Sequence, residues 1–158
     1  MLAAMGSAGA LGGTAARRVA FFAYSLTVCL LALAGTASAT TIVVNTNLDT
    51  PGNPDPADCE LSEAINAANS NAPDDGCLGG TVGEDTIAFA LSTTIEPNLT
   101  LPPLIEKVRL DATAGPGCDG QRQITLDGST AGAGANGFEL NPGSDGSEIC
   151  GFFIGDFD

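Results

Sequence analysis

The stretch IEKVRLDATAGPGCDGQRQITL, residues 105–126, decides the fold class. It holds two short runs of β-forming residues, Ile105–Leu110 and Gln123–Leu126, separated by a turn of Gly, Pro, Asp and Ala. Val108/Leu110 and Ile124/Leu126 alternate with polar neighbours, the signature of a strand with one buried face. Outward from there the pattern repeats. Thr86–Leu91, Leu99–Leu101, Gly137–Leu140 and Glu148–Ile154 are further β-rich runs bounded by Gly, Pro, Asn and Asp. Thr41–Asn45 opens the series. The last four runs end at Leu110, Leu126, Leu140 and Ile154, about 14 to 16 residues apart. Many short strands without helices between them predict an all-β fold, either a β-sandwich or a solenoid in which successive turns of chain stack.

One helix interrupts this series, over about residues 59–69. Leu61, Ala64, Ile65 and Ala68 fall at i, i+3, i+4 and i+7 and form a single apolar stripe. Asp58 is the candidate N-cap, and Glu60 and Glu63 sit in the first turns, where the helix dipole favours anions. A segment of this length is unstable alone, so the stripe must dock on something. Residues 46–58 form a loop with three prolines and three aspartates.

The first 39 residues read as an export signal. Arg17 and Arg18 are the only charges before an apolar run from Val19 to Ala34, and Ala37-Ser38-Ala39 offers small residues at both positions that a signal peptidase reads. Cleavage is expected between Ala39 and Thr40. The run is 16 residues long, short of the roughly 20 that span a bilayer. An uncleaved anchor is the alternative. Arg17-Arg18 fits a twin-arginine signal poorly, Cys29 reads as part of a discarded apolar segment rather than a lipidation site, and Met5 is an alternative start. The domain plan is therefore 1–39 signal peptide, 40–83 first strand, loop and capping helix, and 84–158 β-runs. This predicts a secreted or extracytoplasmic protein with no membrane attachment after cleavage.

All 19 acidic residues lie after residue 39, against Lys107, Arg109 and Arg122, so the mature net charge is 3 − 19 = −16. Such a surface repels phosphate backbones and excludes nucleic acid as the expected partner. Four cysteines remain, Cys59, Cys77, Cys118 and Cys150, an even number in an exported chain and so a candidate pair of disulfides. Three connectivities are open. Nearest-neighbour pairing, Cys59–Cys77 and Cys118–Cys150, is the expected one, and four buried thiols are the alternative. A zinc site is disfavoured because the chain has no C-x-x-C and no histidine.

Residues 59–65 read Cys-Glu-Leu-Ser-Glu-Ala-Ile, followed by Asn66-Ala67-Ala68-Asn69, then Asp75-Gly76-Cys77, then Asp85-Thr86-Ile87. This resembles the CSLREA-type N-terminal segment of bacterial secreted proteins with right-handed parallel β-helix repeats. Cys59, Leu61, Glu63, Ala64 and Ile65 match the pattern; Glu60 and Ser62 depart from it. The resemblance spans about residues 41–158. It implies a right-handed parallel β-helix of about three rungs, with the short helix capping its N-terminal end, in a secreted or surface-displayed protein. It implies no catalytic activity. The chain stops four residues after an apolar run, which predicts a truncated frame or a piece of a longer protein. A complete small domain that pairs end to end through its last rung is the alternative.

Function follows from chemistry the chain lacks and holds. Without histidine, Ser-His-Asp and Cys-His catalysis are excluded. The carboxylate pairs Asp74/Asp75, Asp145/Glu148 and Asp156/Asp158 are candidates for glycosidase chemistry, but each reads better as a solvated acidic turn. Lys107 and Arg109 read as the solvent face of one strand. No cofactor is expected. Calcium is a candidate ion for the loops, through Asp49, Asn53, Asp55 and Asp58 in the first and Asn69, Asn71, Asp74 and Asp75 in the second, though both loops read better as solvating turns. The EF-hand spacing fails, and Asn98-Leu99-Thr100 is a formal glycosylation sequon without meaning in a bacterial export context. The expected function is a non-enzymatic surface or secreted module, adhesin-like or a structural stalk, with a cell-surface glycan or protein as its candidate partner. The rival is the N-terminal part of a carbohydrate-active enzyme, a polysaccharide lyase or glycosidase.

Overall fold

A computed structural model of the chain describes residues 38–50, 52, 54–114 and 118–157. The export-signal residues up to 37, Asn53 of the first acidic loop and Asp158 of the last acidic pair lie outside the described residues.

Among the described residues seven strands and one α-helix follow in chain order: β1 (Thr41–Val44), α1 (Leu61–Ser70), β2 (Asp85–Phe89), β3 (Thr94–Ile95), β4 (Val108–Asp111), β5 (Ile124–Asp127), β6 (Glu148–Cys150) and β7 (Phe152–Gly155). They form a four-stranded sheet in the order β1-β2-β4-β6 and a three-stranded sheet in the order β3-β5-β7. Every ladder in both sheets is parallel. From β2 onward the chain alternates between the two sheets. In the first, Ile42 pairs with Ile87, Ile87 with Leu110, and Leu110 with Ile149, so one file of aliphatic side chains crosses the sheet. In the second, Ile95 pairs with Leu126 and Leu126 with Ile154.

Both sheets and the helix feed one core. Ile42, Val44, Ile87, Val108 and Leu110 come from the first sheet, Ile95, Ile124, Leu126 and Phe152 from the second, and Leu61, Ala64, Ile65, Ala67 and Ala68 from α1. Phe152 adds edge-on contacts to Phe89 and Phe138, each at 5.3 Å between ring centroids.

The fold class expected from sequence is corrected. The described residues form an α/β-type fold of two parallel sheets and one helix, not an all-β right-handed parallel β-helix of about three rungs, and not a β-sandwich. Parallel ladders exclude the antiparallel sandwich. The helix is not an accessory cap, because its stripe is continuous with the strand core. Two expected strands are also missing. Leu99–Leu101 is irregular, and Gly137–Leu140 contributes only a single bridge from Leu140 to Leu104. Thr94–Ile95 forms a strand that the sequence pattern did not single out. The expected run Glu148–Ile154 divides into β6 and β7, in different sheets, at Gly151. That residue has φ +81°, and a Cβ there would stand 2.1 Å from the Ala112 carbonyl oxygen. Only glycine fits such a corner.

Two disulfides tie the loops down. Cys59 joins Cys77 and Cys118 joins Cys150, with Cα atoms 4.7 and 5.4 Å apart. They are compatible with an extracytoplasmic protein. Among the described residues no helix is long and apolar enough to cross a membrane.

Candidate functional site

The helix start is built from acids. Asn45 ties the end of β1 to the helix start: its side chain accepts from the Cys59 N–H at 2.7 Å and donates to the Ala57 carbonyl at 3.0 Å. This brings Asp49 to α1, where its Oδ1 accepts the Ser62 N–H at 3.1 Å. Ser62 N–H is one of the helix's unpaired first-turn donors, so Asp49 satisfies from outside what a cap would satisfy from within. The capping residue is Glu60, not Asp58. Glu63 reaches back to accept the Glu60 N–H at 3.0 Å, and Glu60 accepts the Thr50 N–H at 2.7 Å.

Three carboxyls are thereby buried together: Asp49, Glu60 and Glu63 are 2%, 3% and 8% exposed. Burial raises the pKa of each above the ordinary carboxylate value, because the charged form loses hydration. Repulsion from Asp49, Asp58 and Asp75 adds to the effect at Glu60, and from Glu60, Asp75 and Asp74 at Glu63. The hydrogen bonds from Ser62, Thr50 and Glu60 oppose it. Asp49 Oδ2 is buried without a hydrogen-bond partner among the described residues.

On the outer side of the same turn a groove of about 780 Å³ runs between two walls. Ser62, Glu63, Asn66, Asp74 and Asp75 form one, and Leu99 to Pro103 the other. It continues past Asn66, Asp74, Pro102 and Pro103 into a second depression of about 510 Å³ beside Asn69 and Ile105. Asn69 holds the second wall in place, donating to the Pro103 carbonyl at 2.8 Å and accepting the Ile105 N–H at 3.0 Å. Asp75 occupies a left-handed backbone position, φ 45°, and its Oδ2 accepts the Asp55 N–H at 2.8 Å. The groove thus combines carboxylates with prolines and leucine in one lining.

Of the carboxylate pairs read from sequence, only Asp74 and Asp75 share this groove. Asp145 is exposed in a turn, while Glu148 is bound to Arg109 at 2.8 Å. Asp156 is exposed, with φ 58°. Lys107 and Arg109 are engaged in ion pairs, both with Glu84 just before β2, and Arg109 also with Glu148 of β6. The calcium candidates are divided: Asp49 serves the helix start, Asp55 and Asp75 bind each other through a backbone N–H, Asp58 is half-buried, and Asp74 lines the groove. Among the described residues no three His, Cys, Asp or Glu side chains converge as a metal site. Sequence reasoning placed Glu60 and Glu63 near the helix dipole but missed their burial. Their signal was the alternation of Glu with the apolar stripe in Cys59-Glu60-Leu61-Ser62-Glu63-Ala64.

Comparison with protein-family models, with characterised proteins and with solved structures finds no match.

Proposed function

We propose that this chain is an exported, non-catalytic binding module, adhesin-like in role, whose groove beside α1 takes an extended, basic segment of a cell-surface protein. One observation carries the reading. Asp74, Asp75 and Glu63 line a single groove together with Leu99, Pro102 and Pro103. Carboxylates on one wall match Lys or Arg heads, and the apolar wall matches their aliphatic stems. A glycan is the weaker partner, since among the described residues no aromatic side chain lines the groove to stack on a sugar ring. The two disulfides support the export half of the reading, because such bonds persist in oxidising compartments. The strongly acidic surface would steer a basic partner inward from a distance.

Calorimetric titration with a Lys/Arg-rich extended peptide, beside a neutral oligosaccharide, tests it. Peptide binding that weakens from low to high salt, and is lost in the double variant Asp74→Asn/Asp75→Asn, is expected. Oligosaccharide binding alone, or peptide binding untouched by that variant, overturns it.

A further inference from the structure

Asp85 opens β2 and is 1% exposed. Its Oδ1 accepts the Thr40 N–H at 2.9 Å and the Thr81 hydroxyl at 3.0 Å, and its Oδ2 accepts the Thr81 N–H at 2.9 Å. The seat is cut to fit: a Cβ on Gly80 would come within 2.3 Å of Oδ2. Yet the basic groups of this sheet are turned elsewhere, Lys107 to Glu84 and Arg109 to Glu84 and Glu148. Among the described residues Asp85 is held only by neutral donors, an expensive arrangement, because an uncompensated buried charge is costly unless a cation pairs with it.

One of the two backbone nitrogens bound to Asp85 is that of Thr40, the residue expected to begin the mature chain. We propose that removal of the leader completes this site, the new α-ammonium of Thr40 forming a buried ion pair with Asp85. Hydrolysis of the Ala39–Thr40 amide by a signal peptidase consumes one water. The hydroxyl goes to the Ala39 carbonyl carbon, the C–N bond breaks, and the nitrogen takes up protons to leave an ammonium on Thr40. No movement of the fold is needed. Thr40 is already fixed on its other side, where its carbonyl accepts the Thr86 N–H at 2.8 Å. The cut also frees the Thr81 hydroxyl from its competing acceptor, the Ser38 carbonyl, leaving it to Asp85. A one-residue error in the cut would displace the charge from its partner, so the site reads the exactness of processing. The inference rests on the export reading, and its test separates the two.

The chain after Ala39 contains one lysine, Lys107, so the processed protein has only two amines, and Lys107 serves as the internal reference. The full chain is expressed with export, recovered, and its N-terminus determined by mass spectrometry. It is then labelled with a limiting amine-acylating reagent near pH 7.5, and Thr40 and Lys107 labelling are compared. A pairing anion raises the α-amine pKa above its usual value near 8, and each unit makes the free amine about tenfold scarcer. The expected result is a Thr40 start, with the α-amine reacting about tenfold more slowly than in Asp85→Asn. A second form, beginning at Ala39 and released from a fusion by a site-specific protease, keeps Asp85 intact and is expected to show ordinary reactivity. It carries the comparison should Asp85→Asn fail to fold. A start at another residue overturns the cut and the ion pair with it. A Thr40 start with an α-amine as reactive as in the Ala39 form overturns the ion pair alone and leaves the export reading standing.

Discussion

Replacing Ile65 by Ala tests whether α1 belongs to the core. Ile65 is fully buried and lies in the cluster shared with both sheets, on a helix packed against β1 and β2. The change removes three carbon groups. At about 0.8 kcal/mol each, the transfer loss is about 2.4 kcal/mol. A cavity contribution follows, because β1 and β2 are fixed by their ladders and the helix start is fixed by the Cys59–Cys77 disulfide, so the site collapses little. The sum lies at about 3–4 kcal/mol, within the usual range for such truncations. With a urea slope of about 2 kcal/mol/M, the unfolding midpoint falls by roughly 1.5–2 M. Urea titration followed by circular dichroism measures it, with Asn66→Ala, one residue along on the exposed face, as the control. A loss under about 0.5 kcal/mol at Ile65, equal to that at Asn66, would refute the integrated helix and return α1 to the surface.

Asp49, Glu60 and Glu63 have folded-state pKa values above the ordinary 3.8 and 4.5, so the folded chain holds their protons more tightly than the unfolded one. Stability should therefore rise as pH falls from neutral through the raised values. Glu84 and Asp127 oppose this below their ordinary 4.5 and 3.8, since the Lys107 contact and the Ser129 N–H lower their pKa. Thermal midpoints across pH 4–8 should peak on the acid side, and a peak at or above pH 7 would contradict the buried-acid account. The outer edges of β6 and β7 meet no further strand among the described residues, and β7 exposes Phe153 and Ile154, 56% and 51% accessible. We expect concentration-dependent self-association there, strengthened by salt that screens the negative charge. Sedimentation showing one monomeric species at low and high salt would show the edges protected, in part by Arg122, which lies 4.7 Å over the Phe153 ring.

Local patterns were legible where burial alternates with residue number. Ile42/Val44, Val108/Leu110 and Ile124/Leu126 are buried in the strands their spacing indicates, and Leu61, Ala64, Ile65 and Ala68 are buried on the helix. How the strands pair was not legible, because period-two alternation is the same in parallel and antiparallel sheets. Ile154 shows the limit: it alternates with Phe152, but its strand is at an edge and it remains half exposed. Thr94–Ile95 is too short to produce a pattern. Of the groove, Asp74 and Asp75 drew notice as an acidic pair. Leu99–Leu101, in the other part of the lining, reads as a β-run from sequence, since nothing local says that Asn69 will bind Pro103 and Ile105 beyond it. Asp85 stands out in the sequence only within Asp85-Thr86-Ile87, because its partner Thr40 lies 45 residues away and is joined to it through the fold.

The parallel pairing also sets an order of events in time. Ile42 meets Ile87, 87 − 42 = 45 positions later, so the strand synthesised first has its neighbour far along the chain. Closing the Cys59–Cys77 bond shortens that path by 18 residues, yet by loop-closure entropy the gain is only about 0.4 kcal/mol. Oxidation therefore hardly accelerates the meeting. Until residue 89 has left the ribosome or the translocation pore, Ile42 and Val44 have nothing to pair with, and a chaperone that grips short aliphatic segments has its longest opportunity there.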